Sequence, residues 1–263
     1  MNSLSVALAS FNEENNIEKC LDSVKDLADE IVIVDGSSTD KTVQIAKKYT
    51  DKILVTENPA IFHINKQIAI NKCTKDWILQ LDADEVVSDQ LRKEIIEKVL
   101  KNENKDKNSV NGYWVPRKNW FLGRFLLKGG QFPDYTLRLY KKGKGNLPQK
   151  SVHEQAQVEG KVDYLKYPLL HYPNRDFFSY LQKWDRYNNL LSEEIRTQLK
   201  GRSKMLKFLY GLGYFILKPF YWFIYTYFRH KGFMDGWQGF IFSFFSALRF
   251  AAGYVKYLRI QKI

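Results

Sequence analysis

Residues 77–87 read WILQLDADEVV, an apolar run that ends in three carboxylates, Asp82, Asp84 and Glu85, within four positions. Side chains of an extended chain alternate, so Asp82 and Asp84 are expected on the same side of it. Two hard oxygen donors so placed suit Mg²⁺ or Mn²⁺, and a cation there neutralises charge growing on a departing phosphate. The other use for these carboxylates is to cap the next helix, where Ser88 and Asp89 already offer caps. Two further polar clusters follow apolar runs in the same way, Ser10-Phe-Asn-Glu-Glu14 and Asp35-Gly-Ser-Ser-Thr-Asp40.

The elements that must position these clusters follow from hydrophobic period. Strands are predicted over residues 4–9, 30–34, 53–55 and 77–81, and helices over 14–27, 38–49 and 63–73. Repeated strand–helix–strand units imply an α/β fold, a parallel sheet with helices on both faces. Ligands of such sheets bind beyond the carboxyl ends of the strands, so all three clusters are expected along one edge.

A chain of 263 residues holds one large core or a core with an appendage. With 44% apolar and 27% charged residues it reads as folded, and a net charge of +12 calls for an anionic partner: nucleic acid, a phosphorylated substrate or an acidic membrane surface. Cys20 and Cys73 show neither metal-type spacing nor a disulfide framework, which fits a reducing cytoplasm. The N-terminus lacks a basic n-region and does not read as a signal peptide. Internal repeats are absent, and the low-complexity run at residues 101–108 is expected to be a solvated loop or helix end.

Composition shifts near Gly201. Residues 204–263 hold 20 of the 40 Phe, Trp and Tyr, with nine Lys or Arg against one acid, Asp235, so this tail carries +8 of the net charge. Its apolar runs, 208–217, 219–228 and 236–248, fall short of the roughly 20 residues of an ordinary span. Amphipathic, aromatic-rich helices with basic flanks are expected in the interface of an anionic bilayer. The plainer alternative is packing on the rest of the chain or pairing in a homo-oligomer. A chain ending near Lys200 is expected to be soluble without detergent. Nucleic acid is disfavoured, because the basic residues are interleaved with long apolar runs.

The stretches SVALASFNEENNIEKCLDSV, EIVIVDGSSTDKTVQIAKKY and NKQIAINKCTKDWILQLDADE, followed by LRLYKKGKGNL, SVHE and LLHYPNRDFFSYLQKWDRY, resemble the inverting family 2 glycosyltransferases. The resemblance covers most of the chain and is strongest to the bacterial subgroup that adds a hexose to the lipopolysaccharide inner core. It implies a GT-A fold, Rossmann-like and mostly parallel, with a C-terminal membrane-association region. The domains are then residues 1–200, divided into a nucleotide-sugar half (1–100) and an acceptor half (101–200), and the interfacial helices of 201–263.

By this resemblance Asp35 accepts the uracil N–H, and Ser10, Asn12 and Glu13 form the nucleotide-binding loop, with Phe11 where a Tyr is common. Lys66 stands where the family has an Arg near the base and pyrophosphate, keeping the charge but losing the bidentate fork. Asp84 is the metal ligand; Asp82 contacts the ribose or a metal-bound water. Inverting transfer is one displacement and needs a carboxylate base. Glu154, in Ser151-Val-His-Glu154, is the candidate, with Asp134 in reserve. His153 is a third metal ligand, a pyrophosphate contact or the group that orients Glu154. Arg138 contacts phosphate or acceptor, or simply packs. Residues 113–125 form either an aromatic, basic loop whose Arg117, Lys118 and Arg124 suit a phosphorylated acceptor, or core aromatics at a sheet edge. His171 and Tyr172 are read as packing before function, and Asp185 and Arg186 match the subgroup without a role.

The expected activity is a metal-dependent (Mg²⁺ or Mn²⁺) inverting transfer of a hexose, glucose from UDP-glucose first, to a lipid-linked saccharide such as a lipopolysaccharide heptose. Its expected place is the cytoplasmic face of the bacterial inner membrane, as a peripheral or monotopic protein. Two rivals stand beside it: a polyprenyl-phosphate sugar synthase, whose ionised acceptor needs no base, and a non-catalytic membrane-associated binding protein with a degenerate transferase fold.

Overall fold

The computed structural model of the chain describes residues 1–59, 61–101, 110–148 and 155–260. They form two compact units: residues 1–118 with 133–172, and residues 119–132 with 173 to the C-terminus.

In the first unit β1 (Leu4–Ser10), β2 (Glu30–Asp35), β3 (Ile53–Val55) and β4 (Trp77–Asp82) run parallel in the order β3-β2-β1-β4. The central strands are covered on both faces, which is why they read as near-continuous apolar runs. Leu4, Val6 and Leu8 pack with Ile17 and Leu21 of α1 (Ile17–Asp22) and with Ala46 of α2 (Thr42–Ala46). On the other face Ala7, Val32 and Val34 meet Ala69 and Ile70 of α3 (His63–Lys72). α1 stops earlier than its apolar period suggests. The Ser23 hydroxyl donates to the Cys20 carbonyl at 2.6 Å and accepts the Val87 N–H at 3.0 Å, drawing the chain out of the helix.

Beyond β4 the sheet becomes antiparallel. β5 (Glu85–Val87) is followed by α4 (Asp89–Ile95), which Ser88 caps, and a π turn, Ile96–Leu100. β6 (Gly112–Phe121), β7 (Arg124–Leu126), β8 (Asp134–Lys141), β9 (Gly145–Asn146), β10 (Gln157–Val158), β11 (Val162–Tyr164) and β12 (Leu169–His171) complete the strands among the described residues. The order continues β4-β8-β6-β12-β5, with β8 antiparallel to both neighbours. The sheet is therefore mixed rather than mostly parallel. No crossover helix separates β6 from β8, and parallel pairing would require one. The β6–β8 register slips between Tyr113 and Trp114, which pair with Leu139 and Leu137, so Arg138 is the extra residue of a bulge.

In the second unit residues 119–121 and β7 make a hairpin. α5 (Phe177–Leu199) starts at a reciprocal cap between Asp176 and Ser179. One long helix then runs through α6 (Lys204–Leu212), a π turn (Gly213–Leu217), α7 (Lys218–Phe223) and a second π turn (Ile224–Arg229). A 3₁₀ turn (Gly232–Asp235) leads into α8 (Gly236–Ile260), which packs against α5 and the long helix around Ile195, Leu199, Tyr214, Tyr254 and Tyr257. Among the described residues no helix is long and apolar enough to cross a membrane.

Candidate active site

Parallel pairing sets the strand ends level: Ser10 lies opposite Asp35, and Ala9 opposite Asp82. The three polar clusters thus share one edge, as the alternation of elements predicted. Asp35 is fully buried. Its Oδ2 accepts the Ser10 hydroxyl at 2.9 Å and the Ser38 hydroxyl at 2.6 Å, and its Oδ1 accepts the Ser38 N–H at 2.7 Å. The loops after β1 and β2 interlock: Asn12 N–H donates to Ser38 Oγ at 2.8 Å, and Thr39 N–H to Asn12 Oδ1 at 2.9 Å. Glu13 N–H donates to Thr42 Oγ1 at 2.7 Å. Asn12 (φ 55°) and Ser37 (φ 62°) both sit in the left-handed region, a strain that persists where surrounding bonds over-determine the backbone.

Asp82 ends β4, and the chain turns at once through Ala83 and Asp84 into β5. The expectation that Asp82 and Asp84 point the same way assumed an extended chain; the turn sends them to different partners. Asp82 is held by two cations, Lys66 from α3 and Arg138 from the β8 bulge, the latter at 2.5 Å. Burial opposes its ionisation, but Arg138 and Lys66 outweigh burial and hold its carboxyl well below the usual range. Lys66, read from sequence as near the pyrophosphate, is buried on Asp82 rather than solvated.

Glu85 is the hub of the site. It is fully buried and accepts Asp82 N–H at 3.0 Å, Arg138 Nη2 at 2.7 Å and Arg117 Nη1 at 3.3 Å. Arg117 also donates through Nε and Nη2 to Asp134 Oδ2, at 2.9 and 2.7 Å. Burial works against the Arg138 charge, yet Asp82 and Glu85 more than compensate and raise it; Arg117 follows the same pattern with Glu85 and Asp134. Burial, then the charges of Glu85, Asp84 and Asp82, push the Cys20 thiol well above its ordinary range, so Cys20 stays protonated packing.

Asp84 faces β12, where His171 Nε2 lies 3.4 Å from Asp84 Oδ2 and Tyr172 N–H donates to the Asp84 carbonyl at 2.8 Å. A carboxylate oxygen beside an imidazole nitrogen is a donor pair that fits a divalent cation, Mn²⁺ better than the all-oxygen-seeking Mg²⁺. Among the described residues no group of three or more such donors occurs, so the remaining ligands would come from elsewhere, phosphate oxygens included.

Ser10, Asn12, Glu13, Asp35, Lys66, Asp82, Asp84, Asp134 and Arg138 all belong to the first unit. His153 and Glu154 lie outside the described residues. Arg124 belongs to the second unit, where it pairs with Asp235 at 3.5 Å. Sequence reasoning undervalued Glu85, Arg117 and His171. The available signals were a third carboxylate on a buried strand, which needs counter-cations, and a histidine closing the apolar run Leu169-Leu170.

Residues 5–156 match the family description "Glycosyl transferase family 2". An uncharacterised glycosyltransferase of Rickettsia typhi is 28% identical over all of this chain and 87% of its own length. The lipopolysaccharide core biosynthesis glycosyltransferase LpsC of Rhizobium meliloti is 28% identical over 94% of this chain and 91% of its own. Among solved structures, S. aureus TarS in complex with UDP-GlcNAc aligns with TM-score 0.46 at 17% identity, over 98% of this chain and 88% of that one. With the family match covering more than half of its residues, the chain is a glycosyltransferase and belongs to glycosyl transferase family 2.

Proposed function

We propose that the chain transfers a hexose, glucose from UDP-glucose first, by a single inverting displacement onto a lipid-linked saccharide such as a heptose of the lipopolysaccharide inner core. The observation that carries this reading is the level row of Ser10, Asp35 and Asp82 at adjacent strand ends, with two buried cations gathered on Asp82. Family membership and similarity to LpsC along nearly the whole chain support the acceptor class. In this reading residues 1–200 carry the chemistry, and residues 201–263 hold the enzyme at the cytoplasmic face of the inner membrane.

Each residue then has a part. The interlocked loops of Ser10, Asn12 and Ser38 present Asp35 to the base, whose N–H takes a place beside the serine donors. Lys66 and Arg138, fixed by Asp82 and Glu85, put positive charge where the diphosphate departs. Asp84 and His171 would hold the divalent cation, which when bound neutralises the leaving diphosphate. Glu154 deprotonates the acceptor hydroxyl, a role resting on its place in the Ser-Val-His-Glu motif.

Calorimetry with UDP, GDP, CDP and dTDP, each with Mn²⁺ and with EDTA, tests the donor half. Metal-dependent binding of UDP alone is expected; binding of none of the four would leave the non-catalytic scaffold in its place. Glu154→Gln tests the acceptor half, since it should abolish transfer yet keep UDP binding. An inert change would point to an acceptor that is already an ionised phosphate, as in polyprenyl-phosphate sugar synthases.

A further inference from the structure

The outward side of the long helix over residues 204–229 is apolar from end to end. Phe208, Leu212, Ile216, Phe220, Ile224 and Phe228 recur every four residues, and all six are exposed, Phe220 by 70%. In a regular α-helix a four-residue step overshoots one turn by about 40°, so this stripe would wind around the rod. The two π turns, Gly213–Leu217 and Ile224–Arg229, take more residues per turn, about 4.4, and wind the stripe back. The one cation between Lys207 and Arg229, Lys218, folds over the Tyr214 ring at 3.5 Å.

α8 adds a second row at the same spacing, Phe240, Phe244 and Leu248, all exposed. Ring contacts join the two rows: Phe228 to Phe223 at 6.3 Å, Phe223 to Phe240 at 5.9 Å, and Phe240 to Phe244 at 6.2 Å. A continuous apolar surface of this extent is not left open in water.

Charge decides what covers it. Exposed cations bracket the stripe, Arg202 and Lys204 before it and Arg229 and Lys231 after it. The one acid of the segment, Asp235, is buried and bound to the N–H groups of Leu127 and Lys128 at 2.9 and 2.7 Å. A second copy would bring the same positive field against this face, whereas anionic headgroups complement it.

We propose that this face docks in the plane of an anionic bilayer, with the stripe and the α8 row at the boundary between acyl chains and headgroups and the bracketing cations at the lipid phosphates. The inference deepens the membrane part of the reading above and does not depend on the transfer chemistry.

The test is flotation of the full-length protein with vesicles of phosphatidylcholine, with or without phosphatidylglycerol, and without nucleotide. Anionic vesicles should bind the protein about tenfold or more tightly than neutral ones. Phe208→Ser/Ile216→Ser/Phe220→Ser should lose about tenfold or more on both vesicle types, with unchanged circular dichroism and melting. Arg202→Gln/Lys204→Gln/Arg229→Gln, which leaves the packing untouched, should lose only the preference for anionic lipid. Tyr187→Ser, an exposed ring on the charged side of α5, should float like wild type. The proposal is overturned if wild type ignores anionic vesicles, if the stripe variant floats unchanged, or if wild type is a dimer that the stripe variant dissociates. Failure of UDP to bind would sink the transfer reading and leave vesicle binding standing; the reverse also holds.

Discussion

Asp82 and Asp84 are two positions apart, yet one is neutralised by fixed cations and the other is paired with a histidine. That asymmetry predicts unequal phenotypes. Asp84→Ala should lower turnover by about two orders of magnitude or more while melting stays unchanged, because it touches no buried cation. Near-normal turnover would overturn the metal-ligand role. Glu85→Leu should instead destabilise the fold, by about 3–5 kcal/mol, because it leaves buried Arg138 and half-buried Arg117 each without one of its carboxylate partners; chemical denaturation reads this directly. At the opposite end of β2, burial disfavours the Glu30 charge, but Lys52, Ser5 and Thr74 more than offset it and lower its pKa to about 2. A depressed carboxyl contributes stability that is complete above the unfolded pKa near 4.5 and lost as pH falls toward 2. Glu30→Gln should therefore remove at most about 3 kcal/mol at neutral pH and flatten the stability curve between those values.

At the scale of elements, the four strands of the nucleotide half were legible because each is a buried apolar run bounded by polar turns; β3 fell on the expected residues, 53–55. Helix lengths were less legible. α1 ends where Ser23 bonds to Val87, a partner 64 residues away that no local period reveals. The β8 bulge that aims Arg138 at Asp82 is likewise a property of strand pairing, invisible in TLRLY alone. The hairpin at residues 119–132 depends on one carboxylate of another element, Asp235, which accepts two of its N–H groups and pairs with Arg124. Asp235→Asn should cost about 1–3 kcal/mol, read as a lower melting temperature of the full chain, whereas the same change at exposed Asp51 should cost nothing measurable.

At the scale of the whole molecule, the chain does not divide into elements that simply follow one another: residues 119–132 fold with the C-terminal helices, not with the strands that flank them in sequence. A chain ending at Lys200 would strip Ile195 and Leu199 of Tyr214, Tyr254 and Tyr257. It is expected to lose the helicity of α5 as well as the tail, which circular dichroism at 222 nm would register as a deficit beyond that of the removed helices. Point substitutions on the exposed stripe therefore test membrane docking more cleanly than truncation.

The sequence by itself determined the α/β alternation, the shared edge of the three polar clusters, the family and the basic, aromatic tail, because each rests on local period, composition or ordered motifs. Only the tertiary structure decided which cation neutralises which carboxylate, that His171 faces Asp84, that Glu85 is the hub, and which of the tail's aromatics pack inward, as Tyr214, Tyr254 and Tyr257 do, and which stay exposed, as Phe208, Phe220 and Phe228 do. These depend on turns, a bulge, strand pairing and π turns, where residues far apart in the chain compete for the same partner and the winner is set by packing rather than by local preference.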